Sequence, residues 1–363
     1  MNFATRVSHN IYRTGSVDGQ AGLSIIELMI ALLLGSLLIL GVTQIFISNS
    51  QTFRINEATA RVQENARLAS EILGRAIRGA GFVGCKPINA VTNNLDTTNG
   101  NFNPLFDQMR PGRGITSEVA LRPAAANGTT TDFLALSRVS SPGLFISAPA
   151  VNSASFVVND ATGLSAGDRI LVGNCVDADL AQISSIAAVA GGPSATITVS
   201  PGGASASPPR PGNSTNQLQT VNRPSACTAT NCFSATYSPA HVMLMQNEAY
   251  FIGTSAGRNG LFLTNGDQTF ELVSGIEDMQ IRYVVNNAGT LSFPEPANTG
   301  TDTTNWDLVT GVEVSLLVRG GDDDLLETAQ TVCYPSWAAS CNVTMPDRAL
   351  YRVVEFVTSL RNP

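Results

Sequence analysis

Residues 22–47 read GLSIIELMIALLLGSLLILGVTQIFI, and this stretch decides the fold. The segment before it, Met1 to Gly22, is polar and carries Arg6 and Arg13. The change to apolar sequence falls sharply at Gly22–Leu23. From Leu23 to Ile47 the chain runs for about 25 residues, enough to cross a bilayer as a helix. Its one ionisable residue is Glu27. A carboxylate in a membrane helix costs roughly 2.5–3.5 kcal/mol at the bilayer centre, and less near the helix N-terminus, where the dipole favours negative charge. Two readings of Glu27 stay open on these residues alone: a tolerated carboxylate at the interface, or a partner for a free α-amino group on a neighbouring chain. An ordinary secretory signal is cut after its apolar stretch, behind small residues. No such site follows Ile47, which leaves an uncleaved anchor or a cut at the Gly22–Leu23 junction.

Beyond Ile47 the helical pattern continues. Ile55, Ala58, Val62, Ala66, Ala69, Ile72 and Ile77 recur at three- and four-residue spacing and form one stripe. Arg54, Glu57, Arg61, Glu64, Arg67, Glu71, Arg75 and Arg78 supply an alternating-sign face with i,i+3 and i,i+4 pairs. Gly79 and Gly81 end the helix. The spacing therefore predicts a helix over 23–80, whose first half spans a membrane at 23–47 and whose second half offers a stripe to a globular head.

The head, residues 81–363, has a different texture. Short apolar runs are broken by Gly, Pro, Asn and Ser. FLALSRV, SASFVV, RILVGN, AQISSIAAV and ATITVS read as strands, with an inserted subdomain expected near 150–200. A Gly/Pro/Ser-rich loop follows at 201–224. Then come HVMLM, AYFIG, LFLT, FELVSGIEDMQIRYVV, VTGVEVSLLVRG and LLETAQTVCY, and a last segment RALYRVVEFVTSLRNP that suits a strand or a short helix. The fold class expected is α+β: a long N-terminal helix packed on a β-rich head.

Composition bounds function. Across 363 residues, 43% are hydrophobic and only 13% charged, with a net charge of −7. That acidic balance, without a Lys/Arg cluster, argues against nucleic acid as a partner. Six cysteines (Cys85, Cys175, Cys227, Cys232, Cys333 and Cys341) accompany only two histidines, His9 and His241. Thiols with so little imidazole suit disulfides in an oxidising compartment better than zinc. The short spacings make Cys227/Cys232 and Cys333/Cys341 the natural local bridges, leaving Cys85 with Cys175; buried free thiols are the less favoured alternative.

Gly22, the apolar run and Glu27 in register resemble the type IV prepilin signature. The resemblance implies that a prepilin peptidase cuts after Gly22, that Leu23 becomes the N-methylated first residue, and that Glu27 is the fifth and serves subunit assembly. Leu23 replaces the commoner Phe, and Gln44 stands where major pilins usually carry a proline. ELVSGIEDMQIRYVV from Glu271, GVEVSLLVRG from Gly311, the closing YRVVEFVTSLRNP and, more loosely, LSAGDRILVGNC resemble PilW-type minor pilins. For such a protein the implied partners are the prepilin peptidase, other minor pilins and the major pilin through the N-terminal helix, and a tip adhesin. The implied location is the inner membrane, with the head in the periplasm, and then a pilus at the cell surface. The implied role is priming of pilus assembly within a tip complex. A minor pseudopilin of type II secretion shares the processing and the helix.

No enzyme, cofactor or metal is expected. GTSAG at 253–257 matches G-x-S-x-G, but a strand pattern follows it and His241 precedes Ser255, so a tight turn is the better reading than a hydrolase elbow. Asp322, Asp323 and Asp324 read as a solvated hairpin tip rather than a calcium site. Trp306 and Trp337 are expected in the core rather than as anchors for a partner.

Overall fold

The computed structural model describes residue 22 and residues 24–82, 91–109, 114–128, 130–149, 155–173, 178–202, 209–214, 240–296, 306–339 and 341–360. Helix α1 spans Ile25–Gly79. Strands follow in chain order: β1 (Val91–Asn93), β2 (Ile115–Thr116), β3 (Phe133–Pro149), β4 (Ser155–Val158), β5 (Arg169–Gly173), β6 (Ala178–Gln182), β7 (Ser185–Ala188) and β8 (Ala195–Thr198). The second run is β9 (His241–Ser255), β10 (Arg258–Thr264), β11 (Thr269–Ser274), β12 (Ile276–Asn287), β13 (Thr290–Ser292), β14 (Val309–Gly320), β15 (Thr331–Val332), β16 (Val343–Thr344) and β17 (Leu350–Ser359). The chain divides into two compact units, Met1–Arg54 and Ile55–Pro363.

Helix α1 forms because its sequence holds no proline and is rich in Leu, Ala, Arg and Glu, which lose little freedom in a helix. Ser24 sits just before it, and its carbonyl accepts the Leu28 N–H at 3.1 Å. Ser24 and Glu27 have the S-x-x-E spacing of a capping box. The helix ends at Gly79. Gly81 then takes a φ of 74°, and its N–H reaches the Ser137 carbonyl at 2.9 Å.

Within the second unit, β12, β13, β14 and β17 form an antiparallel sheet in the order β13-β12-β14-β17. The α1 stripe of Ala58, Val62, Ala66, Ala69, Leu73 and Ile77 shares one core with Ile281, Tyr283, Val312, Val314, Leu316 and Val318. Small residues on the helix bring it close to the sheet. Asn65 Nδ2 donates to the carbonyl of Ser274, the last residue of β11, at 3.0 Å. The alternate residues of β14 are also covered: Leu317 packs with Tyr334, Met345 and Tyr351. That cover comes from the excursion between β14 and β17, which the Cys333–Cys341 disulfide closes. The other four cysteines lie outside the described residues.

The larger sheet has eleven strands, with β9 and β3 paired at its centre. β5, β6 and β1 extend it past β9, and β4, β8 and β7 extend it past β3. Leu134, Leu136, Tyr250 and Ile252 of the central pair join the α1 core. Phe156, Ile170, Val172, Ile197 and Val242 close a second core, and within 155–198 it is β4 that pairs with β3 and β5 that pairs with β9. Two sequence expectations change. HVMLM and AYFIG are one continuous β9, because the polar residues between them are bonded: Asn247 Nδ2 donates to the Phe106 and Gln108 carbonyls at 3.0 and 2.7 Å. LLETAQTVCY yields only the two-residue β15, since its neighbours cover β14 instead of extending a sheet. The last segment is a strand, β17. At 201–224 the described residues include Asn213, which is buried and braces Gln182 from both sides.

Candidate assembly surface

From Ile25 to Phe53 the large apolar side chains of α1 stand in the open. Ile25 is 77% exposed, Leu38 68% and Phe46 73%. One described helix, α1, is long and apolar enough to cross a membrane; its most apolar window has a mean hydropathy of 2.6 and buries nothing. Three hydroxyls in this stretch, those of Ser36, Thr43 and Thr52, bond back to the helix. Ser36 Oγ donates to the Leu33 carbonyl at 2.9 Å, and Thr43 Oγ1 to the Ile39 carbonyl at 2.8 Å. Such back-bonding lets hydroxyls sit in a dry medium. Gly35 and Gly41 continue the helix, with open space where a Cβ would stand. Glu27 is exposed in the first turn, and Gly22 precedes the helix, also exposed. Leu23 lies outside the described residues. An apolar surface this continuous is unfavourable in water and calls for lipid or other helices around it.

The head adds groups that periodicity does not reveal. Arg319, 11% exposed, holds Asp347 at 3.0 Å, Asp323 in a shorter contact and the Tyr351 hydroxyl at 3.2 Å. Burial alone lowers an arginine, yet these bonds carry Arg319 above its ordinary value. This ties the β14 end to the loop before β17. Asp323 is thus engaged, while Asp322 and Asp324 are exposed; among the described residues no acidic or Cys/His group has metal-binding geometry. Arg282 bonds Glu313 and lies 4.6 Å over the Trp337 ring and 4.9 Å over Phe293. Trp337 also donates its indole N–H to Glu295 at 2.8 Å, so it is part of a surface stack, not the core. Trp306 does pack on the main core, edge-on to Tyr283 with ring centroids 4.8 Å apart.

A second cluster joins the two sheets. Asp132 accepts the Ile281 N–H at 2.8 Å, and its own N–H donates to the Met279 carbonyl at 2.8 Å. Burial pushes the Asp132 carboxyl up to about 7; the Ile281 N–H and Arg122 oppose that shift, and Asp278 adds to it. Burial also raises Asp278. The alternation in IEDMQIRYVV does place Asp278, Gln280 and Arg282 opposite Met279, Ile281 and Tyr283. Nothing local in the sequence couples Asp132 to them across about 150 residues of chain.

GTSAG is a hairpin turn. Ser255 pairs with Arg258, and Ala256 and Gly257 take φ of 49° and 77°, the left-handed pair such a two-residue turn demands. His241 and Ser255 stand at opposite ends of β9.

The model of the family "Type IV Pilus-assembly protein W" matches residues 249–362. That span takes in β10 to β17, the four-stranded sheet on α1 with the disulfide-closed excursion over it. Among curated proteins none matches. A solved type IV-like pilin from Thermus thermophilus aligns at 13% identity and a TM-score of 0.20, over 32% of this chain and 67% of that one. The match thus covers about the last third of the chain, and that region is similar to the PilW family of type IV pilus-assembly proteins.

Proposed function

We propose that this chain is a minor pilin that is cut behind Gly22, N-methylated at Leu23, and inserted as a primer at or near the tip of a type IV pilus. The observation that carries the reading is the bare apolar helix surface beginning at Ile25, with Glu27 in its first turn, in a chain whose C-terminal region matches PilW. The role is structural. In the membrane the helix is surrounded by lipid. On assembly it moves among the helices of other minor pilins and the major pilin, and lipid contacts are exchanged for protein contacts. The free α-amine of an adjacent subunit then meets Glu27, and each charge lowers the cost of burying the other.

The capping-box spacing gives Glu27 a purely local alternative, and one pair of variants separates the two. Glu27→Ala removes both roles. Glu27→Gln keeps a side chain able to cap and loses the charge. Both variants are expected to be processed normally and to lower surface piliation by about tenfold or more, as loss of one partner of a buried ion pair does. Normal piliation with Glu27→Gln would leave only the cap. Mass spectrometry of sheared filaments, with N-methylated Leu23 as the expected terminus, tests the cut and the location together. A processed peptide confined to membrane fractions would favour a pseudopilin, and an intact Met1 leader would remove the reading.

A further inference from the structure

Among the described residues, β17 closes the four-stranded sheet on one side and pairs with β14 alone. The direction of its backbone groups follows from two bonds. The Leu360 N–H donates back to Thr310, so even-numbered residues face β14. The Tyr351 N–H instead reaches the Gln330 side chain at 2.5 Å, so odd-numbered residues face outward. Gln330 fills the first outward position. From Val353 through Glu355 to Val357 the outward N–H and C=O groups have no partner among the described residues.

Proteins usually blunt such an edge with lysine, proline, a bulge or brevity. β17 has none of these: it is ten residues long, holds no Lys or Pro, and its register with β14 runs unbroken from Leu350 to Ser359. The opposite edge strand, β13, has three residues. A row of alternating backbone donors and acceptors is filled by another extended backbone.

The side chains beside the row narrow the occupant. Val353, Glu355 and Val357 share one face, and Val357 is 61% exposed. Glu355 has no ion pair among the described residues, because Arg282 is taken by Glu313. The Glu313 carboxyl, hydrogen-bonded to it, holds the Glu355 carboxyl above its ordinary value. Two carboxyls, Glu313 and Glu355, thus share the one guanidinium of Arg282, and a cation beside Glu355 would favour its ionised form. A second copy of β17 would not supply it: paired antiparallel about its centre at Glu355, it would set Glu355 opposite Glu355, and like charges across a pair are unfavourable.

We propose that the outer edge of β17 receives an extended strand of a different polypeptide, one that sets a Lys or Arg opposite Glu355 and apolar residues opposite Val353 and Val357. The proposal does not depend on the pilus reading.

The test titrates the full chain, purified in detergent, against fluorescein-labelled Thr-Val-Thr-Lys-Thr-Val-Thr and against the same peptide with Glu for Lys, read by anisotropy. The Lys peptide is expected to bind the wild-type chain better than the Glu peptide. Val357→Pro removes an outward N–H and leaves the β14 ladder intact, and is expected to weaken binding by about tenfold. Glu355→Lys is expected to invert the preference, to about fivefold in favour of the Glu peptide. Should Val357→Pro fail to fold, that inversion decides alone. No binding of either peptide, or binding indifferent to both substitutions, overturns the proposal. So does a dimer of the chain that Val357→Pro dissolves while neither peptide binds, since the edge would then belong to a second copy.

Discussion

Gly320→Ala is expected to destabilise the head by about 3 kcal/mol, the upper part of the usual range for overpacking. Gly320 ends β14 where α1 crosses it. A Cβ there would fall 2.4 Å from Val62 Cγ2 and 2.9 Å from the Ala58 carbonyl oxygen. Val62 is 1% exposed and Ala58 2%, so neither has room to retreat, and the second contact is to helix backbone. Relief must come from moving the helix off the sheet, which loosens the Ala66, Ala69 and Leu73 contacts further along. Urea unfolding in micelles, followed by the fluorescence of Trp306 and Trp337, reports the loss. Gly192→Ala is the control: its Cβ position is open and the residue is exposed, so no change is expected. A Gly320→Ala chain as stable as that control would show that the helix–sheet approach is not tight.

Asp132→Asn is expected to stabilise the protein above neutral pH and to flatten its pH dependence. With Asp132 near 7 in the folded chain and an ordinary value of 3.8, the folded state keeps a proton that the unfolded state has released between those limits. Stability therefore falls as pH rises through that window and levels above it. The loss at pH 8 is at most roughly 4 kcal/mol. Asparagine retains an oxygen for the Ile281 N–H and carries no charge to bury. Urea midpoints at pH 5 and pH 8 give the test: the wild-type midpoint is expected to drop between them and the Asn midpoint to change much less, with Asp278 supplying the remainder. Equal wild-type midpoints would mean that Asp132 is ionised throughout.

These two residues also mark where a linear reading stops. The long helix, its apolar first half and its buried stripe are legible because each rests on a short-range period, three to four residues on a helix. The β-rich character and most strand positions are legible for the same reason. The 253–257 turn follows from a strand pattern on either side and a Gly in a two-residue loop. The division of one apolar stretch from the next is less legible. Gln246, Asn247 and Glu248 look like a break, and they lie inside β9 because Arg138 and the 106–108 backbone satisfy them from elsewhere in the chain. Trp337, read as core, is held at the surface by Arg282 and Glu295.

By itself the sequence determined the helix, the place of its one carboxylate, the β-rich head and the pilin-like reading, since each depends on neighbours within a few residues. Only the tertiary structure decided that Gly320 meets Val62, that Asp132 faces β12, that Arg319 is encircled by acids, and that no described strand lies on the outer edge of β17. Those are pairings across tens to hundreds of residues. They are set by sheet order and by the crossing of helix and sheet, and no local period encodes either.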